Sequence, residues 1–84
     1  MTTLKVTKTH EDASTSIYKI TGFTQAEFAD LCDLPYQAMK AEVLDMLDER
    51  NKGLGTRWNN GYGVYQMWII KGEAVYAEIG NTCD

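Results

Sequence analysis

The chain has 84 residues, with 12 carboxylates against 8 Lys and Arg for a formal net charge of −4, and 44% hydrophobic and 11% aromatic residues. That length allows one domain with a thin core, burying roughly 60–65% of the surface exposed on unfolding, and the composition is that of a globular chain rather than a disordered tail. It excludes a multidomain enzyme and a strongly basic nucleic-acid coat. No apolar run approaches the ~18 residues of a membrane span, and Met1-Thr2-Thr3-Leu4-Lys5 lacks the apolar stretch of a signal peptide, so a cytoplasmic protein without membrane contact is expected.

Thr2 to Lys8 alternates Leu4 and Val6 with Lys5 and Thr7, the period of a half-buried strand, and Ser16 to Thr21 repeats it with Tyr18 and Ile20 against Ile17 and Lys19. The polar stretch His10 to Ser14 between them reads as the loop of a hairpin. Thr24-Gln25-Ala26-Glu27 is a capping box, in which the threonine hydroxyl accepts from the Glu27 N–H and the glutamate accepts from the Thr24 N–H. Phe23 and Phe28 stand at the two positions of a hydrophobic staple. Leu31 and Cys32 continue an inward face, which makes Cys32 a buried small hydrophobe. Pro35 ends or kinks this helix and suits the first turn of a second one. Tyr36, Met39, Val43, Met46 and Leu47 give the second helix its apolar stripe, and Gly53 is its C′ stop.

Beyond Gly55 the chain turns aromatic and β-branched. Asn59-Asn60-Gly61 and Lys71-Gly72-Glu73 read as turns flanking a strand from Tyr62 to Ile70, followed by an alternating strand from Ala74 to Ile79. Arg57-Trp58 is a candidate short strand. The expected fold is one α+β domain over residues 1–84, an antiparallel sheet of about four strands in the chain order β-β-α-α-β-β, with two helices packed on one face.

The acidic excess is not spread evenly. Between Thr24 and Lys52 lie seven carboxylates against three cations, while the rest of the chain is balanced. The helical layer therefore carries an acidic patch, either solvated or facing a basic partner. The strand from Val64 to Ile70 puts Val64, Trp68 and Ile70 on one face and Tyr65, Met67 and Ile69 on the other, so both faces are apolar where a one-sided sheet needs one polar face. With Tyr76 on the neighbouring strand, this marks either a docking or dimerisation surface or a strand covered by the curl of the twisted sheet or by the N-terminal hairpin. The candidate partner-binding residues are Tyr65, Trp68, Tyr76, Asp45, Asp48 and Glu49.

Catalytic, cofactor and metal signatures are missing from the sequence. The one histidine, His10, falls in an expected loop beside Glu11 and Asp12, and Cys32, Cys83 and His10 lack metal-ligand spacing. Gly53-Leu54-Gly55 and Gly61-Tyr62-Gly63 precede neither a Lys-Ser/Thr pair nor a helix start, so they are turns rather than phosphate loops. Arg57, Trp58, Tyr62 and Tyr65 could stack single-stranded bases, with few cations to assist.

The segment Phe23 to Met39 resembles the helix-turn-helix of the lambda-repressor and Cro family of phage and plasmid regulators. Thr24, Gln25, Glu27, Phe28, Ala29, Leu34 and Met39 fall at the family's helix start, core and turn positions. The resemblance implies a dimeric DNA-binding regulator in which Gln25, Tyr36, Gln37 and Lys40 face the duplex, with Gln37 reading adenine. In size and style the chain is also similar to host-directed inhibitors of phages and mobile elements, including anti-CRISPR and anti-restriction proteins. That similarity implies a non-enzymatic binding module acting in the host cytoplasm on a protein partner with a basic surface, and a possible homodimer.

Overall fold

The computed structural model describes residues 2–60 and 63–81. The strands β1 (Lys5–Glu11) and β2 (Thr15–Thr21) form an antiparallel hairpin. Three helices follow, α1 (Gln25–Asp33), α2 (Tyr36–Arg50) and α3 (Leu54–Asn60), and then a second hairpin of β3 (Val64–Ile70) and β4 (Ala74–Gly80). Pairing of β2 with β4 joins the hairpins into one four-stranded antiparallel sheet in the order β1-β2-β4-β3. The α+β class and the sheet are as expected, but the order is β-β-α-α-α-β-β. The expected pair of helices on one face gives way to three, whose buried side chains share one cluster with Ile20, Met67, Val75, Ala77 and Ile79 of the sheet.

Local signals set α1. The Thr24 hydroxyl accepts from the Glu27 N–H at 3.1 Å, Glu27 accepts from the Thr24 N–H at 2.9 Å, and the rings of Phe23 and Phe28 lie 6.3 Å apart. Leu34 and Pro35 are extended, and α2 begins at once. Leu31 alone is buried on α1; Cys32 is exposed, contrary to the expected apolar placement, because a nine-residue helix held by one buried side chain leaves its flanks open. The other cysteine, Cys83, lies outside the described residues.

Core packing is dominated by α2, which buries Met39, Val43, Leu44, Met46 and Leu47. Its end is a Schellman turn: the Gly53 N–H donates to the Asp48 carbonyl at 3.1 Å, and Lys52 takes the left-handed conformation with φ 55. The C′ position is thus Lys52, with the expected stop Gly53 one residue further on.

The unexpected α3 replaces the short strand at Arg57-Trp58 and the turn at Asn59-Asn60; Gly61 and Tyr62 lie outside the described residues. Gly53 opens α3, its carbonyl accepting from the Arg57 N–H at 3.0 Å, but glycine has no capping side chain. Asp48 supplies one from α2: its carboxylate accepts from the Thr56 N–H at 2.7 Å and from the Thr56 hydroxyl at 2.9 Å. Gly55 lets the two helices touch, since a Cβ there would stand 2.3 Å from the Leu44 carbonyl oxygen. Trp58 is thereby buried, 5.1 Å from the ring of Tyr18.

Alternation along β4 buries Val75, Ala77 and Ile79 and leaves Tyr76 and Glu78 half-buried on the other face. In β3 a register shift between Val64 and Gln66 marks a bulge at Tyr65. Val64 therefore opposes Ile79 and packs on the core beside Met67 and Ile69, while Gln66, Trp68 and Ile70 take the outer face. The expected grouping of Val64 with Trp68 and Ile70 fails because one extra residue reverses the alternation. β1 also runs further than expected, to Glu11, so His10 sits in a strand and only Asp12 to Ser14 remain as the turn.

Replacing Gly55 by alanine tests the α2–α3 contact. The new methyl must push backbone rather than a flexible side chain, so urea unfolding is expected to show a loss of about 1–3 kcal/mol, where an ordinary helix position would gain from the same change.

Candidate partner-binding site

Three carboxylates of α2, Glu42, Asp45 and Glu49, are exposed, and their spacing of three and four residues sets them in one stripe that flanks the buried face on the side towards α1. Among the described residues none of the three makes a salt bridge; the four ion pairs found are Lys8–Glu11, His10–Asp12, Lys19–Glu73 and Arg50–Glu27. Asp30 and Asp33 on α1 are exposed as well. Of the sequence-selected acids, Asp45 and Glu49 therefore belong to an open acidic face. Asp48 does not, because its carboxylate is occupied by the start of α3. Glu42 was not selected, although its position three residues before Asp45 and seven before Glu49 is a readable signal.

Between α1 and α2 this face dips into a groove of about 270 Å³ lined by Glu27, Asp30, Glu42, Glu49 and Arg50 together with Leu31, Leu34 and Met46. Arg50 is largely buried, and its guanidinium donates to both carboxylate oxygens of Glu27, from Nη1 at 3.3 Å and from Nη2. The guanidinium and the Thr24 N–H hold the Glu27 carboxyl at about 2, well below its usual 4.5. The cation nearest to Glu49 is thus already engaged with another carboxylate.

On the outer sheet face Trp68 and Tyr76 stack with centroids 5.7 Å apart and planes 9° from parallel. Polar groups frame them: the Tyr76 hydroxyl donates to Glu73 at 2.9 Å, Lys19 pairs with Glu73 at 3.2 Å, and Gln66 donates to Glu78 at 2.8 Å. The Tyr76 hydroxyl first, and then Lys19, lowers the Glu73 carboxyl, and the same hydrogen bond raises the Tyr76 phenol. Tyr65, at the bulge, is 53% exposed. The structure brings Trp68 and Tyr76 together and leaves Tyr65 projecting from the edge strand.

Gln25 and Gln37 are exposed in the first turns of α1 and α2, and Lys40 is half-buried. The hydroxyl of Tyr36 accepts from the Met67 N–H at 3.1 Å, so this residue is tied to β3. Of the base-stacking residues, Arg57 is exposed and donates to the Lys52 carbonyl, Trp58 is buried, and Tyr62 lies outside the described residues. His10 stands 3.5 Å from Asp12 in an exposed strand end. Among the described residues no three His, Cys, Asp or Glu converge as metal ligands would, and no helix is long and apolar enough to cross a membrane.

No protein-family model matches this chain, and no curated protein or solved structure matches it.

The Glu27–Arg50 tie has a pH signature. Glu27 releases its proton more readily folded than unfolded, so its contribution is complete above about pH 4.5 and is lost as pH falls towards about 2. Asp12, held near 2 by the Thr15 and Ser14 N–H groups, adds to the slope in the same window. Urea titrations at stepped pH are expected to show Glu27→Gln losing stability less steeply than the parent between pH 4.5 and 2. An unchanged slope would mean that the pair does not form.

Proposed function

We propose that this chain is a non-enzymatic binding module whose acidic helical face docks on a basic surface of another protein, of the kind that otherwise holds nucleic-acid phosphates. The observation that carries the reading is the stripe Glu42, Asp45 and Glu49, exposed and outside every salt bridge found among the described residues. Carboxylates three and four residues apart on a helix repel one another, and Glu49 stands in the last turn, where the helix dipole disfavours a negative charge. Scattered acids would confer the same solubility without that cost to α2. At a rise of about 1.5 Å per residue the stripe spans about 10.5 Å, one carboxylate per about 5 Å of helix axis, against one phosphate per about 3.4 Å of axis for one DNA strand. A surface that binds phosphates would accept such a row.

Small size and an acidic helical layer are the style of the host-directed inhibitors of phages and mobile elements, the anti-CRISPR and anti-restriction type, and on this reading the chain acts by occupancy in the host cytoplasm. The stacked pair Trp68 and Tyr76 supplies a second contact area on the sheet. A dimeric helix-turn-helix regulator is the second reading, favoured by the two-residue connection between α1 and α2 and by the exposed Gln37. Its recognition helix would carry the acidic stripe beside the phosphates, which disfavours it.

Capture from a host lysate with the tagged chain, at about 0.05 M and about 0.5 M salt and beside a labelled duplex, separates the two readings. The expected result is a nucleic-acid-binding protein that elutes with salt, is displaced by added DNA, and is not captured by the variant Glu42→Lys, Asp45→Lys, Glu49→Lys. A partner retained by that variant at high salt would contradict the acidic docking. A salt-sensitive shift of the duplex, lost in Gln37→Ala and Lys40→Ala, would establish the regulator instead.

A further inference from the structure

The two edges of the sheet are built differently. β1 (Lys-Val-Thr-Lys-Thr-His-Glu) is almost wholly exposed, carries Lys5, Lys8 and Glu11, and is broken by a register shift near Thr9, the devices that keep a solvent edge from pairing. β3 (Val-Tyr-Gln-Met-Trp-Ile-Ile) is also an edge strand, yet it has no charged residue and presents apolar side chains on both faces. Such a sequence lacks the charges that keep an exposed edge from pairing. The large hydrophobic residues found exposed among the described residues, Leu34, Tyr36, Tyr65 and Ile70, all lie along this edge, beside a groove of about 460 Å³ that Leu34 and Tyr36 share with Met67, Trp68 and Ile69.

We infer that β3 pairs edge to edge with β3 of a second copy of the chain across a twofold axis, extending the sheet to eight strands. Backbone geometry narrows the register to pairs centred on an outward-facing residue, and the hold of Tyr36 on the Met67 N–H leaves Ile69 as that residue. The Met67 N–H points away from β4, towards the Tyr36 hydroxyl. In an antiparallel ladder outward-facing groups recur every second residue, so Ile69 presents its N–H and its carbonyl on the same edge. Ile69 of one copy then opposes Ile69 of the other, and Ile70 opposes Trp68 on the outer face. No charged side chains meet at the axis, and each groove brings one carboxylate, Asp33, and one ammonium, Lys71, so the pairing gathers no like-charge cluster.

The Tyr36 hydroxyl holds the Met67 N–H in the single chain and yields it as the ladder lengthens. Exposed parts of the two tyrosines, Trp68, Leu34, Ile69 and Ile70 offer about 400 Å² per copy, against about 800 Å² in a standard stable interface. Association is therefore weak and depends on concentration.

Sedimentation velocity of the full chain between about 1 μM and about 1 mM, with amide exchange measured at both ends of that range, tests the inference. The expected result is a monomer that becomes a dimer as concentration rises, with the Ile69 amide gaining protection in step. Tyr36→Phe, which frees the Met67 N–H, is expected to shift dimer formation to severalfold lower concentration. Ile70→Glu is expected to abolish it with the far-ultraviolet dichroism unchanged. A monomer at every concentration would overturn the inference, as would a dimer in which Ile69 exchange does not respond to concentration. Should Ile70→Glu unfold, the Ile69 amide of the parent chain decides alone.

Discussion

The C-terminal turn of α2 ties three other parts of the molecule to the helix that supplies most of the helical core. Asp48 caps α3 through Thr56, Arg50 grips Glu27 of α1, and Asn51 exchanges two hydrogen bonds with the backbone of Leu4, donating to its carbonyl at 2.9 Å and accepting from its N–H at 3.1 Å. In so small a chain α1 and α3 bury too little to hold themselves: α1 contributes Leu31, and α3 contributes Gly55 and Trp58. Polar ties issuing from one rigid element do the remaining work, because each satisfies backbone or charged groups that would be costly to leave unpaired.

That arrangement explains which parts of the fold were legible in the sequence. The start of α1 was readable from Phe23 to Phe28, since capping box and staple act within six residues. So was the break at Pro35, and the turn at Gly72, whose φ of 83 only glycine adopts readily. The third helix was hidden because its cap comes from Asp48, outside the helix, and because Gly55 reads as a turn residue until its contact with Leu44 is seen. The bulge at Tyr65 was hidden for a similar reason, since it is a property of the pairing with β4 and not of β3 alone. The candidate site divides the same way: Asp45 and Glu49 were visible as helix-face acids, but nothing local distinguishes them from Asp48, whose carboxylate is spent on α3.

With Asp48, Arg50 and Asn51 committed to the fold, α2 has two remaining faces. One buries Met39, Val43, Leu44, Met46 and Leu47. The other carries Glu42, Asp45 and Glu49, none of which makes a salt bridge among the described residues. The acidic stripe therefore flanks the buried face of the same helix, and at Glu49 it borders the Arg50–Glu27 tie. The sheet repeats the division, with Val75, Ala77 and Ile79 turned to the core and the Trp68–Tyr76 stack turned outward.

The separation of the two faces of α2 can be measured by urea unfolding of the variant Glu42→Gln, Asp45→Asn, Glu49→Gln. If the stripe serves only an external partner, relief of its like-charge repulsion leaves the stability unchanged or raises it by up to about 1 kcal/mol. A loss of more than about 1 kcal/mol would show that these carboxylates support the fold, and would contradict their assignment to a docking surface.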